Sequence, residues 1–445
     1  MSTLMVSVSG IRGIVGDGLD PNTLVKYVSA YADYCGGKIV VGRDARITGE
    51  MVYHLVVGTL LAKGIDVVDI GITPTPTVLL TVSKLKASGG IAISASHNPN
   101  EWNALKLLNN KGEFMFPEEH KDYIDLLEKS DNYVSWDKIG KLTVDNTALQ
   151  SHINAVLSMQ YIDVEAIKKR KFRVLLDCVN GAGVYVMPQL LKEFGCEVIE
   201  YDCEKTGIFT RKPEPLPENL IGTMESVKKH NVDIGIVVDP DVDRLVLITE
   251  KGETFGEENT IAQAVKFVLS KEKGNSVVNL STTRSIDDIA KANNCEVFRS
   301  PVGEANVVKK MKEVNAIIGG EGSGGVIFPA LHYGRDALVG TAIILQHLLE
   351  FGGKLSELKA ELPEYHIAKA KIDVGTKNPD SLIKSLESKY SKQNINTDDG
   401  LRIDFEDHWV HFRKSNTEPI IRCIVEAKTE LKAQEYIEKY FAELN

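Results

Sequence analysis

The hexapeptide Asp239-Pro240-Asp241-Val242-Asp243-Arg244 lies between two apolar runs, Asp233–Val238 (DIGIVV) and Leu245–Thr249 (LVLIT). Runs this short and this rich in β-branched residues read as buried strands. Carboxylates at alternate positions of extended chain point to one side. Three so close repel one another unless a cation is bound or some are protonated. An oxygen-only donor set selects a hard ion, Mg²⁺ or Ca²⁺. The spacing also opens like a calcium EF-hand, with Glu250 at the twelfth position. Arg244 stands where that loop needs glycine, however, and a strand follows instead of a helix. A solvated acidic turn is the alternative, and the buried strands on both sides argue against it.

The rest of the chain supplies the layers that such strands need. Strand-like and helix-like runs alternate: Lys38–Arg43, a helix over Gly49–Lys63, then strands at Asp66–Gly71 and Gly90–Ala95. The pattern restarts with Arg173–Asp177, a helix over Val184–Glu193, and strands at Val198–Tyr201 and Asp233–Val238. A third round has helices near Asn259–Leu269 and Ile286–Ala292 and strands at Ser276–Leu280 and Ala316–Ile318. The tail, with Ile403–Phe405, Trp409–Phe412 and Ile420–Val425, reads as short antiparallel strands between helices. The expected fold class is α/β, with three mixed-sheet units and a smaller C-terminal α+β unit around a central cleft. The expected units are 1–155, 156–255, 256–367 and 368–445. The segments Asp131–Asp145 and Glu364–Ala370 read as linkers.

Composition narrows the function. A net charge of −10 leaves no basic footprint for nucleic acid. No stretch approaches the roughly 18 apolar residues of a membrane span, and the N-terminus lacks a signal pattern. The six cysteines form no CxxC pair. Reduced thiols in a cytoplasmic protein are expected, with no nucleic-acid or membrane partner.

Three further loops carry chemistry. Ser94-Ala95-Ser96-His97-Asn98-Pro99 follows the apolar strand GIAI, where α/β proteins place ligands. A serine there is a nucleophile if activated, or else part of a turn. Gly319-Gly320-Glu321-Gly322-Ser323-Gly324-Gly325 offers close backbone approach, with Glu321 and Ser323 able to bond sugar hydroxyls. Arg413-Lys414-Ser415-Asn416-Thr417-Glu418-Pro419, with Arg422 close behind, suits a phosphate dianion. One such loop per unit, in this order, implies a site assembled in a cleft.

With these loops in view, the sequence resembles the α-D-phosphohexomutase superfamily, from Gly10-Ile11-Arg12-Gly13 to the last loop. SASHNP looks like the family's phosphoserine loop, DPDVDR like its metal loop, GEGSGG like its sugar loop and RKSNTEP like its phosphate loop. Among its members the compact phosphoglucosamine mutases are the most similar. The resemblance implies a phosphorylated Ser96 and one Mg²⁺ held by Asp239, Asp241, Asp243 and the Ser96 phosphate. It implies substrate contacts from Glu321, Ser323, Arg413, Ser415, Asn416, Thr417, Arg422 and Arg244. Lys106 and Arg12 match positions near the chemistry. Lys106 would serve as a base only with a lowered pKa, Arg12 has an electrostatic role, and His97 positions the loop. Many relatives have a histidine where this chain has Gly325, and His332 is the candidate substitute. The implied reaction interconverts hexose or hexosamine 6- and 1-phosphates through a bisphosphate, on a monomer or homodimer. A phosphoserine-dependent phosphatase, or a non-catalytic sugar-phosphate binder, is the alternative. The sequence does not choose among glucosamine, glucose and mannose phosphates.

Overall fold

The structure is a computed structural model that describes residues 2–375, 377–414 and 420–444. Three of its four sheets repeat one plan. In the first, the strands run in the order Val67–Ile72, Ile39–Arg43, Gly89–Ile93, Trp102–Leu108. The first three are parallel and the fourth hairpins back antiparallel. Gly10–Val15 and Met5–Ser7 extend that edge, and Leu142–Val144 closes the other. The second sheet is Glu197–Tyr201, Arg173–Asp177, Ile234–Val238, Leu245–Thr249, with the same directions. The third is Val297–Ser300, Asn275–Asn279, Ala316–Glu321, Gly325–Ile327, again the same. The serine, aspartate and sugar loops therefore occupy one topological place. Each is the turn from the third parallel strand into the antiparallel fourth.

The fourth sheet is antiparallel throughout, in the order His366–Asp373, Ile420–Ala427, His408–Lys414, Leu401–Asp404, Asn394–Asn396. Helices Pro379–Lys389 and Glu430–Leu444 cover it. The architecture is that expected: three mixed α/β sheets and a C-terminal antiparallel unit.

One apolar core runs from Ile153 to Leu362 and joins the second and third units. Its central element is the helix Ala337–Phe351, buried on most of its circumference. Asp336 caps its N-terminus, accepting from Leu338 N–H at 2.8 Å, and Gly352 ends it in the left-handed region at φ 71°. The other oxygen of Asp336 accepts from His152 Nε2 at 2.7 Å and His332 Nε2 at 2.8 Å. His152 in turn meets Thr77 of the first unit at 2.9 Å. This buried polar knot ties the first three units together.

Several expectations shift. The helix expected over Val184–Glu193 is a 3₁₀ turn, Ala182–Tyr185, followed by an α-helix, Met187–Glu193. Pro188 explains the break, because it lacks the N–H needed inside a helix but fits its first turn. The expected linker Glu364–Ala370 is mostly the edge strand His366–Asp373, whose exposed Lys369 and Lys371 mask the strand signal. The expected unit boundary at 155 falls inside the helix Ala148–Leu157, and that at 367 inside the edge strand. No helix among the described residues is long and apolar enough to cross a membrane.

His411 sits at the seam of the third and fourth units, fully buried. Its Nε2 donates to the Asp399 carbonyl at 2.7 Å and its Nδ1 lies 2.9 Å from Ser281 Oγ. Burial lowers its pKa to about 4. A neutral folded imidazole and an unfolded one titrating near ~6.5 mean that unfolding takes up a proton below that pH. Its stabilisation is therefore complete above about pH 6.5 and is lost as pH falls toward about 4. We expect His411→Asn to flatten the fall of stability in this window by about 1.4 kcal/mol per pH unit, measured by urea unfolding. An unchanged slope would contradict the assignment.

Candidate active site

In the aspartate loop the turn is tight enough to place Val242, a β-branched residue, at φ 63°. Such strain persists only where surroundings hold it. Here Asp239 Oδ1 accepts from the N–H groups of Asp243 and Arg244, both at 3.1 Å. All three aspartates are buried. Asp241 Oδ2 accepts from Lys106 Nζ at 2.5 Å and from the Thr75 hydroxyl. Asp243 Oδ2 accepts from Arg335 Nη2 at 2.8 Å, with Lys106 at 3.4 Å.

That leaves Asp241 Oδ1 and Asp243 Oδ1 buried without a hydrogen bond, with Arg244 Nε 4.0 Å from the latter. One oxygen from each of the three aspartates lies within 4.8 Å of the others. Buried carboxylate oxygens are rarely left unpaired. Buried carboxylates gathered in this way, two of them with an unpaired oxygen, fit a hard divalent cation such as Mg²⁺. Burial, then Asp243 and Asp241, push the Asp239 pKa well above the carboxylate range. Burial also opposes ionisation of Asp241, but Lys106 outweighs it and holds the group below that range.

Ser96 sits in the matching turn of the first unit at φ 49°, again left-handed. Its N–H donates to Ser94 Oγ and its hydroxyl to Asp239 Oδ2, both at 2.9 Å. The serine and the triple-aspartate turn thus meet, although 143 residues separate them in sequence. A buried arginine holds the serine loop open. Arg46 donates to the carbonyls of Ser96 (2.5 Å), Asn98 (2.7 Å) and Pro99 (2.6 Å). Its Nε is bound by Asp44 at 3.0 Å, and Asp44 also accepts from Ser94 Oγ at 2.7 Å.

A cavity of about 280 Å³ opens beside Ser96, lined by Arg12, His97, Lys106, Arg244, Glu321 and Arg335 among others. Arg12 donates to Asn98 Oδ1 at 2.7 Å. Burial, with Arg244 and Arg12, lowers the His97 pKa to about 3, so this imidazole is neutral. Burial works against the charge on Lys106, but Asp241 and Asp243 prevail and raise its pKa. Lys106 here is a countercharge to Asp241 and Asp243, 2.5 Å and 3.4 Å away. Arg244 Nη1 lies 3.6 Å from Glu214.

Glu321 Oε1 accepts from Asn279 Nδ2 (2.9 Å) and Gly303 N–H (3.0 Å), and Oε2 from Arg335 Nη1 (3.0 Å). Ser323 is half-buried at the turn and is not among the residues lining the Ser96 cavity. Arg413 and Arg422 face each other across two strands of the fourth unit, with Asp399 2.9 Å from Arg413. Like charges directly opposed are unfavourable until an anion arrives. Ser415, Asn416 and Thr417 lie outside the described residues.

His332 does not replace a histidine at Gly325. Its Nε2 is committed to Asp336, and it lines a different cavity. The space beside Gly325 belongs to Arg335, for a Cβ there would fall 2.3 Å from Arg335 Cδ. Arg335 also donates through Nε to Glu304 at 2.9 Å, and burial pushes Glu304 up to about 7 against that pull. Arg46, Asp44, Arg335 and Glu304 are absent from the sequence reading. Asp44 and Arg46 directly follow the buried strand Ile39–Arg43, the same kind of strand end that marked the other loops.

Comparison with known proteins decides the family. Residues 4–134, 150–252 and 257–365 match alpha/beta/alpha domains I, II and III of phosphoglucomutase/phosphomannomutase, and residues 368–443 match its C-terminal domain. The chain belongs to this family, in the α-D-phosphohexomutase superfamily. It is an intramolecular phosphotransferase, an isomerase of carbohydrate metabolism. A phosphoglucomutase/phosphomannomutase of Thermococcus kodakarensis is 39% identical over 439 residues, 96% of each chain. A probable phosphoglucosamine mutase of Methanopyrus kandleri is 35% identical, covering 97% of this chain and 96% of its own. The crystal structure of a Burkholderia thailandensis family member has the same fold, with TM-score 0.86 at 24% identity and coverage of 99% and 98%.

For this phosphohexomutase, Asp241→Asn should weaken Mg²⁺ binding at least about ten-fold in calorimetric titration, the scale seen for losing even an outer partner of a metal ligand. Unchanged affinity would show that the cation sits elsewhere.

Proposed function

We propose that the protein interconverts glucosamine 6-phosphate and glucosamine 1-phosphate through a phosphorylated Ser96 and a 1,6-bisphosphate. The observation that carries the phosphoserine scheme is the contact of Ser96 Oγ with Asp239 in a cavity ringed by four cations, Arg12, Lys106, Arg244 and Arg335. Such a ring suits a transferring phosphoryl group, whose catalysis is mostly positioning and charge stabilisation. Asp239, Asp241, Asp243 and phosphorylated Ser96 would hold one Mg²⁺, which when bound supplies positive charge against the phosphoryl oxygens.

In this scheme a free sugar hydroxyl attacks the Ser96 phosphorus and the phosphorus–Oγ bond breaks. The proton lost by the sugar hydroxyl is balanced by the one that Ser96 Oγ gains, and the restored serine hydroxyl donates its hydrogen bond to Asp239 Oδ2. The other phosphate rests on Arg413, Ser415, Asn416, Thr417 and Arg422, and Glu321 and Ser323 meet the sugar. The bisphosphate turns over in the cleft and returns its other phosphate to Ser96. Arg12 and Arg244 stay charged and orient the phosphoryl oxygens. Neutral His97 shapes the loop.

Two observations favour the amino sugar. The Methanopyrus relative is named a probable phosphoglucosamine mutase. A carboxylate, Glu258, also presses on the sugar loop where only glycine leaves room: a Cβ on Gly322 would fall 2.1 Å from its Oε1. Thr283 N–H orients Glu258 at 3.0 Å, while the neighbouring Lys369 is spent on Glu257 at 2.8 Å. Burial, reinforced by Glu257, lifts Glu258 to about 8 against the pull of Lys369, so a further cation there is favoured. An ammonium on the sugar supplies one. The Thermococcus relative's name favours glucose and mannose phosphates as the second reading. The cysteines, all free, fit a cytoplasmic location.

Ser96→Ala should cut turnover by several orders of magnitude and abolish the phosphopeptide containing residue 96 in mass spectrometry. Undiminished activity would end the phosphoserine scheme, and phosphate release without a sugar acceptor would favour a phosphatase. A coupled assay should give the highest kcat/KM for glucosamine 6-phosphate over the glucose and mannose 6-phosphates. Glu258→Gln should narrow that preference about ten-fold, the worth of one charged hydrogen bond. Equal ratios in both proteins would remove Glu258 from the selection.

A further inference from the structure

Arg335 touches two loops at once. Its side chain is 12% exposed and its donors are divided among three carboxylates on three segments. Nη2 holds Asp243 of the aspartate turn at 2.8 Å, and Nη1 holds Glu321 of the sugar turn at 3.0 Å. Nε holds Glu304 at 2.9 Å. Glu304 returns the grip by accepting the Arg335 backbone N–H at 2.9 Å. The fork is thereby fixed at its root as well as its tip.

Arg335 takes one oxygen of each turn carboxylate. Arg335 takes Asp243 Oδ2 and leaves Oδ1 without a hydrogen bond, and Asp243 offers one oxygen to the cluster with Asp239 and Asp241. It takes Glu321 Oε2, and Glu321 lines the cavity beside Ser96. A planar guanidinium can satisfy such divergent acceptors together, whereas an ammonium on a flexible stem cannot hold them in one geometry. The path is open only because residue 325 has no side chain, since Arg335 Cδ occupies that space.

We infer that Arg335 is a positioning residue that fixes the cation-binding and sugar-binding turns together, so that one guanidinium sets the affinity of both. Arg335 holds Asp243 by Oδ2, which leaves Oδ1 for the cation, and it holds Glu321 by Oε2 while Asn279 and the Gly303 N–H hold Oε1, so that this carboxylate is fixed at the wall of the sugar cavity. The inference rests on reading these two turns as metal and sugar sites.

The test measures the two affinities separately on the full chain. Mg²⁺ binding is titrated without sugar, and glucosamine 6-phosphate binding is titrated in EDTA. Arg335→Lys keeps the charge but not the fork. Gly325→Ala keeps every side chain of the site and displaces the guanidinium by steric contact. In both variants we expect Mg²⁺ affinity to fall about ten-fold and sugar-phosphate affinity about five-fold. Thermal midpoint and far-ultraviolet circular dichroism identify a variant that merely unfolds. Asp243→Asn and Glu321→Gln serve as controls, each weakening one ligand only. A wild-type chain that binds neither ligand would refute the site reading itself. A wild-type chain that binds both, with the folded variants losing one affinity or neither, would overturn the role of Arg335.

Discussion

Three carboxylates gathered in a dry turn set the terms for the rest of the molecule. At their separations, within 4.8 Å, each like-charge pair costs about 3–4 kcal/mol at an effective dielectric near 20. Three such pairs rival the whole folding stability of a typical domain. The turn therefore cannot exist alone. Asp239 turns one oxygen onto two backbone N–H groups, Lys106 reaches in from the first unit, and Arg335 from the third. Asp241 Oδ1 and Asp243 Oδ1 are left without a hydrogen bond. Charge balance thus requires three units to converge on one turn, and the same convergence builds the site.

The repeated strand order makes that convergence economical. Each of the first three units ends its third strand in a turn that hairpins into an antiparallel fourth. One plan thus delivers the serine, the aspartates and the sugar loop to equivalent strand ends, the places where α/β sheets accept ligands. The fourth unit is built otherwise, with a core of its own and an antiparallel sheet. It reaches the others through polar contacts, such as Glu426 accepting from Arg284 N–H at 2.9 Å. The fourth unit is thus joined to the others by hydrogen bonds rather than by a shared core.

The other three units meet at the polar knot of His152, Asp336, His332 and Thr77. It is buried, its two histidines share one oxygen of Asp336, and it spans the first three units. Asp336 also caps the apolar helix at the centre of the shared core, so one carboxylate serves local helix formation and long-range docking. The rigid part of the site, serine against aspartates, stands on this foundation.

Much of this was legible in the chain itself. Alternating apolar runs gave the α/β layers, and polar clusters at the ends of buried runs located the serine, aspartate and sugar loops, because both signals are local in sequence. Other features are not local. Trp102–Leu108 is a strand because it pairs with Gly89–Ile93, and His366–Asp373 is one despite its lysines because it lies at an edge. Arg46 and Arg335 gain their meaning from carbonyls and carboxylates on distant segments, and Gly325 from the arginine that passes over it. The sequence by itself determined which groups were present and at which strand ends they stood. Tertiary structure alone decided which of them meet and which charges answer which. It removed His332 from the site and set Lys106 against Asp241 and Asp243, since countercharge depends on distance through space and not along the chain.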